Sequence, residues 1–194
     1  MCSEKFQIRN CFIFKIINMK RLQYLFFKLL SKVFHNNEIK HNFLRRQGIQ
    51  IGGGGNIVAN ICTPESFLIR IGNNVTVAED VQFVTHDNSI MKVSPSCYNL
   101  FGYVVIGDNC FIGQRSTIMY GVTLANNIIV ASGSVVCNSF DEERIIIGGN
   151  PAKKIGTWDS FIKKTQDMAM SRYEVKEMMI KHPEKFVKKK YENE

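Results

Sequence analysis

The chain has 194 residues, 45% of them hydrophobic and 22% charged, the values of an ordinary globular domain rather than of a collagenous, disordered or disulfide-stapled chain. Its formal charge of +8 is unevenly placed: residues 1–50 hold 10 Lys/Arg against 2 acids, residues 51–152 hold 4 against 8, and residues 153–194 hold 11 against 7. A basic excess at both ends of a mildly acidic centre argues against a nucleic-acid groove through the middle. It favours anionic small molecules or a membrane surface at the ends.

Apolar residues near the start are interrupted by Lys5, Arg9, Lys15 and Lys20, and no small-residue cleavage site follows a clean apolar stretch, which makes it a poor signal peptide. The run from Cys11 to Ile17 is far shorter than the ~20 apolar residues that span a bilayer. Met19, followed by Lys20 and Arg21, reads as a natural beginning, with residues 1–18 dispensable. Between residues 20 and 44, Leu22, Leu25, Phe26, Leu29, Leu30, Val33 and Phe34 recur at helical spacing among basic residues. The favoured reading is a helix that caps the open end of the following domain. Its competitor is an interfacial helix that brings the protein to a membrane.

A period of six then dominates. Ile106, Ile112, Ile118, Leu124, Val130 and Val136 are evenly spaced, mostly followed by a small residue (Gly107, Gly113, Ala125, Ala131, Cys137). Cys110, Ser116, Val122, Ile128 and Ser134 repeat the spacing at the fourth place. The same register appears at Ile71-Gly72, Val77-Ala78 and Phe83-Val84, and in a weaker copy at Ile51-Gly52 and Ile57-Val58. This fits neither a helix nor one long strand. Three short flat sides of six residues close a triangular coil of about 18 residues, with the apolar phase inside and Asn73-Asn74, Asp108-Asn109 and Asn126-Asn127 at the corners.

Phe83 and Ile106 are 23 positions apart, which breaks the register and requires an inserted loop. That loop carries His86, alone among histidines between residues 42 and 181. Loops on a rigid scaffold favour function, and a neutral imidazole can take a proton at physiological pH, so His86 is the candidate base. Asp87 follows it; adjacent side chains on an extended strand point apart, so a turn-forming or solvated Asp is the stronger reading over one that binds the acceptor. The six cysteines lack metal or redox spacing and read as reduced thiols. Cys110 and Cys137 fit as buried small hydrophobes rather than acyl carriers.

The stretch IGDNCFIGQRSTIMYGVTLANNIIVASGSVV and the exit IIIGGNPAKKIG resemble the hexapeptide-repeat acyltransferases, over about residues 48–157. The resemblance implies an all-β left-handed parallel β-helix, here with helical N- and C-terminal appendages. The expected organisation is a cap at 1–47, a β-helix at 48–157 with a loop at 86–104, and a helical tail at 158–194. In that family a His at this place deprotonates the acceptor hydroxyl as it attacks acetyl-CoA, and a backbone amide, here of Gln114 or Gly113, polarises the thioester. Ser132, Gly133 and Cys137 are implied along pantetheine, Lys153 and Lys154 at the phosphates. Phe111 stands where relatives frequently carry Trp, which puts its substrate contact in doubt, and Asp141-Glu142-Glu143-Arg144 replaces a more neutral link. The four histidines do not supply the zinc ligands of the carbonic anhydrases that share this coil, so no metal site is expected.

In the tail, Asp159 is the expected cap of one helix, Ser171 with Glu174 forms a capping box, and Pro183 suits a first helical position. The favoured function is O-acetylation of a sugar or surface-polysaccharide precursor in the cytoplasm, with the inner membrane face as an alternative location, and the resemblance implies a homotrimer with each site between two copies. The rivals are acetylation of an amino sugar, an antibiotic or serine, and a non-catalytic binding or assembly β-helix.

Overall fold

A computed structural model describes residues 22–182; Met19, the run at 11–17 and Pro183 lie outside them. Two helices replace the single one expected over 20–44. α1 covers residues 22–33 and α2 spans Asn37–Arg46. Between them His35 takes a φ of 51° and Asn36 caps α2, its side-chain oxygen accepting from the Glu38 N–H at 2.9 Å. Apolar spacing cannot reveal such a break, because an Asn that competes for backbone donors ends one helix and starts another.

The rings of Tyr24 and Phe27 lie 6.2 and 5.0 Å from that of Phe43, and the Tyr24 hydroxyl donates at 2.6 Å to the carbonyls of Val58 and Ala59. Arg45 donates to the carbonyls of Ile51 and Gly52 at 3.0 and 2.6 Å. These bonds satisfy backbone acceptors at the first coil, which an uncovered strand edge would leave unpaired.

The strands follow in order: β1 (Gln50–Ile51), β2 (Asn56–Ile57), β3 (Ile69–Ile71), β4 (Thr76–Val77), β5 (Gln82–Phe83), β6 (His86–Asp87) and β7 (Leu100–Phe101). After them come β8 (Val104–Ile106), β9 (Phe111–Ile112), β10 (Thr117–Ile118), β11 (Thr123–Leu124), β12 (Ile129–Val130), β13 (Val135–Val136), β14 (Ile145–Gly149) and β15 (Ala152–Thr157). They form three sheets in which β1–β5 and β8–β14 run parallel and are visited in turn, while β15, joined to β14 by Asn150-Pro151 alone, turns back beside it. The first face stacks β1, β3, β8 and β11, the second β2, β4, β9, β12, β14 and β15, and the third β5, β10 and β13. β6 and β7 form a separate antiparallel ribbon.

Register converts the six-residue period into geometry. Leu124 pairs with Ile106, Val130 with Ile112 and Val136 with Ile118, each 18 residues on. Ile106, Ile112 and Ile118 instead pair with Ile71, Val77 and Phe83, 35 residues back, so the loop adds 17 residues to one turn. Ile71 and Val77 pair with Ile51 and Ile57 at a separation of 20, two more than the regular coil, and no strand of residues 58–68 joins the third face. The phase positions Ile112, Ile118, Val130 and Val136 are fully buried, as are Ser116, Val122 and Ile128. Asn74, Asn109 and Asn127 hold φ near 55° at the corners (52°, 56° and 59°) and link side chain to side chain at 2.8 Å, the run ending on Glu143 at 2.9 Å. Asn tolerates this left-handed conformation, and its amide satisfies both neighbours.

Contacts divide the chain into two units at Gly156/Thr157. In the second unit, α3 (Trp158–Thr165) is capped by Thr157, whose hydroxyl accepts from the Ser160 N–H, and Asp159 lies in its first turn rather than capping it. Thr157 wins because it keeps the extended backbone of a cap. α4 (Arg172–Lys181) begins with the Ser171–Glu174 capping box.

Candidate active site

His86 leaves the third face directly after β5, where β6 pairs with β7, so the inserted loop returns to the corner it left. Gly102 closes that corner. Its N–H donates to the Thr85 carbonyl at 3.2 Å, and a Cβ there would lie 2.5 Å from the Gly121 nitrogen, so only glycine fits.

His86 Nδ1 lies 2.9 Å from Glu65 Oε2, and that same oxygen accepts from the Thr85 hydroxyl at 2.9 Å. A carboxylate at Nδ1 holds the ring proton there and leaves Nε2 as the acceptor. The His86 side chain is 39% exposed and that of Glu65 is 20% exposed, so the base is reachable while its orienting partner is mostly covered. The Phe101 ring tilts beside the imidazole, centroids 6.0 Å apart. Glu65 was missed in the sequence. It sits in the irregular third side of the first coil, and the one signal for it was the surplus of two residues between Ile57 and Ile71.

Asp87 is engaged in its own turn. Its Oδ1 accepts from the Ser89 N–H at 2.8 Å, and this bond, with others from Ser89 and Tyr120, holds its carboxyl below the usual range. The turn role thus occupies one of its oxygens, and Asp87 makes no bond to the His86 ring.

Of the two amides expected at the thioester, one is already engaged. The Gly113 N–H donates to the Val130 carbonyl at 2.9 Å, part of the parallel ladder, so it cannot also face an oxyanion. At the neighbouring corner the amides of Asn73 and Asp108 are taken by the side chains of Asp108 and Asn126 at 2.6 and 2.8 Å. The Gln114 N–H has no such acceptor among the described residues, which leaves it as the available donor of the pair. One rung on, Ser132 and Gly133 are exposed, and Gly133 donates to the Gln114 carbonyl at 2.8 Å.

Cys137 is exposed, not the buried small hydrophobe expected, because the side chain after the inward Val136 points out. Cys110 is buried beside the Ala125 carbonyl, 3.2 Å away, and burial pushes its thiol up, which disfavours a nucleophilic thiolate. Phe111 stands 43% exposed on the second face. Lys153 is exposed, and Lys154 binds Glu142 at 2.6 Å.

Within one chain these groups lie at opposite ends of the third face. Gln114, Ser132 and Gly133 precede the third face, and His86 follows it. Arg115 donates to the Glu79 carbonyl, and Glu79 precedes His86 by seven residues. Glu79 and Asp80 form the turn before the third face, so that face, with β5, lies between the two groups.

Comparison with known proteins accords with this architecture. The model of the hexapeptide repeat of succinyl-transferase matches residues 103–137. Protein CapG of Staphylococcus aureus is 34% identical over 148 residues, covering 73% of this chain and 84% of that protein. The putative acetyltransferase YJL218W of Saccharomyces cerevisiae is 32% identical over 133 residues, 66% of each chain. Among solved structures, the hexapeptide-repeat acetyltransferase VCA0836 of Vibrio cholerae superposes with a TM-score of 0.54 at 23% identity, over 73% of this chain and 92% of that one. Its complex with acetyl-CoA gives 0.51. The chain belongs to the hexapeptide-repeat acyltransferase family, and it is an acetyltransferase.

Proposed function

We propose that this enzyme transfers acetyl from acetyl-CoA to a hydroxyl of a sugar or surface-polysaccharide precursor, by direct attack and without an acyl-enzyme. The observation that carries the reading is the 2.9 Å bond from His86 Nδ1 to Glu65. It leaves Nε2 as a general base at an accessible corner. The acceptor hydroxyl gives its proton to Nε2 as its oxygen bonds to the thioester carbon. The Gln114 N–H bonds to the oxyanion, and collapse breaks the carbon–sulfur bond, with the His86 imidazolium returning the proton to the CoA sulfur.

The acceptor class rests on the family resemblance and on the aromatic side chains of the corner. Phe101 stands against His86, and Tyr98 is exposed on the loop. Such rings present flat apolar faces to the C–H face of a sugar, while the base meets a hydroxyl.

The donor is the ligand of the V. cholerae neighbour's complex. In this reading Ser132, Gly133 and Cys137 flank pantetheine, and Lys153 and Lys154 meet the phosphates. The separation of His86 from Gln114 across one face supports a homotrimer of left-handed coils. Each site then joins the His86 corner of one copy to the Gln114 corner of the next, and no metal takes part.

Thiol release from acetyl-CoA across a panel of sugars, amino sugars, serine and aminoglycosides, with product masses, is the test. Acetylation of a sugar hydroxyl that disappears in His86→Ala is the expected result. N-acetylation, or turnover retained in the variant, would overturn the acceptor or the base respectively.

A further inference from the structure

We propose that α1 docks this protein on an anionic membrane surface. The helix has two apolar faces. Tyr24 and Phe27 turn inward onto Phe43, and Ser31 is buried with them. On the other side Leu22, Leu25, Phe26, Leu29 and Val33 follow one another at helical spacing, and each is more than half exposed, from 53% at Leu25 to 72% at Leu22. Phe34, 65% exposed, extends the stripe past the end of the helix. Isolated exposed apolar residues are common and need no cause. A continuous stripe along a helix whose opposite face is already packed is a docking surface.

Charge selects the occupant. Lys32 is exposed beside the stripe, and Lys28 reaches Glu79 only at 3.5 Å, with both side chains open to solvent. The segment of residues 1–50 that contains the helix holds 10 basic residues against 2 acidic ones. A second copy meeting stripe to stripe would bring the Lys28 and Lys32 side chains of two helices together, and their repulsion opposes that contact. Anionic headgroups complement the cations, while the acyl boundary receives Phe26 and Leu29. No helix among the described residues is long and apolar enough to cross a bilayer.

The test is flotation of the full chain with vesicles of phosphatidylcholine alone and of phosphatidylcholine with phosphatidylglycerol, alongside the double variant F26S/L29S and K32A. The serines replace outward side chains, and an unchanged thermal transition verifies the fold. The expected result is flotation with the anionic vesicles only. It should weaken at least about tenfold in F26S/L29S, and weaken in K32A and at about 1 M salt, where screening acts within ~3 Å. Failure of the wild type to float, or flotation of F26S/L29S at the wild-type level, overturns the proposal. A smaller oligomer for F26S/L29S in sedimentation also overturns it, assigning the stripe to a second copy. None of these readouts depends on acetyl transfer.

Discussion

Glu65 Oε2 and His86 Nδ1 meet at 2.9 Å across 21 residues, because the irregular side of the first coil lies beneath the corner where the chain leaves the third face. The Thr85 hydroxyl holds the same carboxylate oxygen, so the orienting group is itself oriented. The loop supplies the base, and the scaffold supplies what aims it.

Replacing His86 with Ala should lower turnover by at least ~10²-fold, the lower range for a positioned base, and leave acetyl-CoA affinity close to the parent's. Single-turnover acetyl transfer together with calorimetric titration of acetyl-CoA checks both. Parental turnover in a folded variant would remove His86 from the chemistry.

Glu65 acts through His86 and is therefore a positioning residue. Glu65→Ala should reduce kcat by roughly tenfold or more with the KM for acetyl-CoA unchanged, and Glu65→Gln, whose amide oxygen can still accept from Nδ1–H, should recover part of the loss. A Gln variant as impaired as the Ala variant would show that the carboxylate's charge, not its orientation of the ring, is what matters.

If each site joins two copies, His86→Ala and Gln114→Pro chains, both inactive alone, should complement one another. Every mixed trimer, whichever chain is in the majority, then carries one intact site of its three, so about a third of the parental activity returns. Co-expression with separate affinity tags, followed by assay of the doubly purified species, measures this. Absence of recovery in a verified mixed oligomer would place the whole site in one chain.

Lys153→Ala combined with Lys154→Ala should raise the KM for acetyl-CoA roughly tenfold, the equivalent of ~1.4 kcal/mol. Lys154 is already bound to Glu142 at 2.6 Å, so Glu142→Gln should release it and lower that KM. Steady-state kinetics on both variants decides; no change in either removes the pair from the phosphate site.

A buried cation in α2 makes stability depend on pH. Lys40, 3% exposed, donates to Asn56 Oδ1 at 3.2 Å; burial, with nearby Lys28 adding to it, pushes its ammonium down to about 8. An unfolded lysine titrates near ~10.4, so between these values the unfolded chain holds more protons than the folded one and stability rises with pH. Lys40→Met should flatten that rise and stabilise the protein at pH 7 by about 1 kcal/mol. Thermal unfolding from pH 7 to 10.5 tests it; an undiminished rise in the variant would assign the dependence to another group.

Much of the architecture was legible because a six-residue period is a local property. Each phase position buries one side chain, and each small or Asn corner permits one turn, so the sequence displays the coil residue by residue. Ile112, Ile118 and Val130 were placed inward correctly on that ground, and the register break before Ile106 located the loop that carries His86. What the period could not contain was contact between rungs. Glu65 lies in the segment where the repeat lapses, and Asn36 divides an apolar pattern that reads as one helix. The Gly113 amide is consumed by a carbonyl 17 residues away, and Cys137 turns outward at the end of its face. These outcomes depend on which groups the stacking of coils sets within 3 Å of one another. Pairing offsets of 18, 20 and 35 residues decide that, and only closure of the coils into three faces sets them.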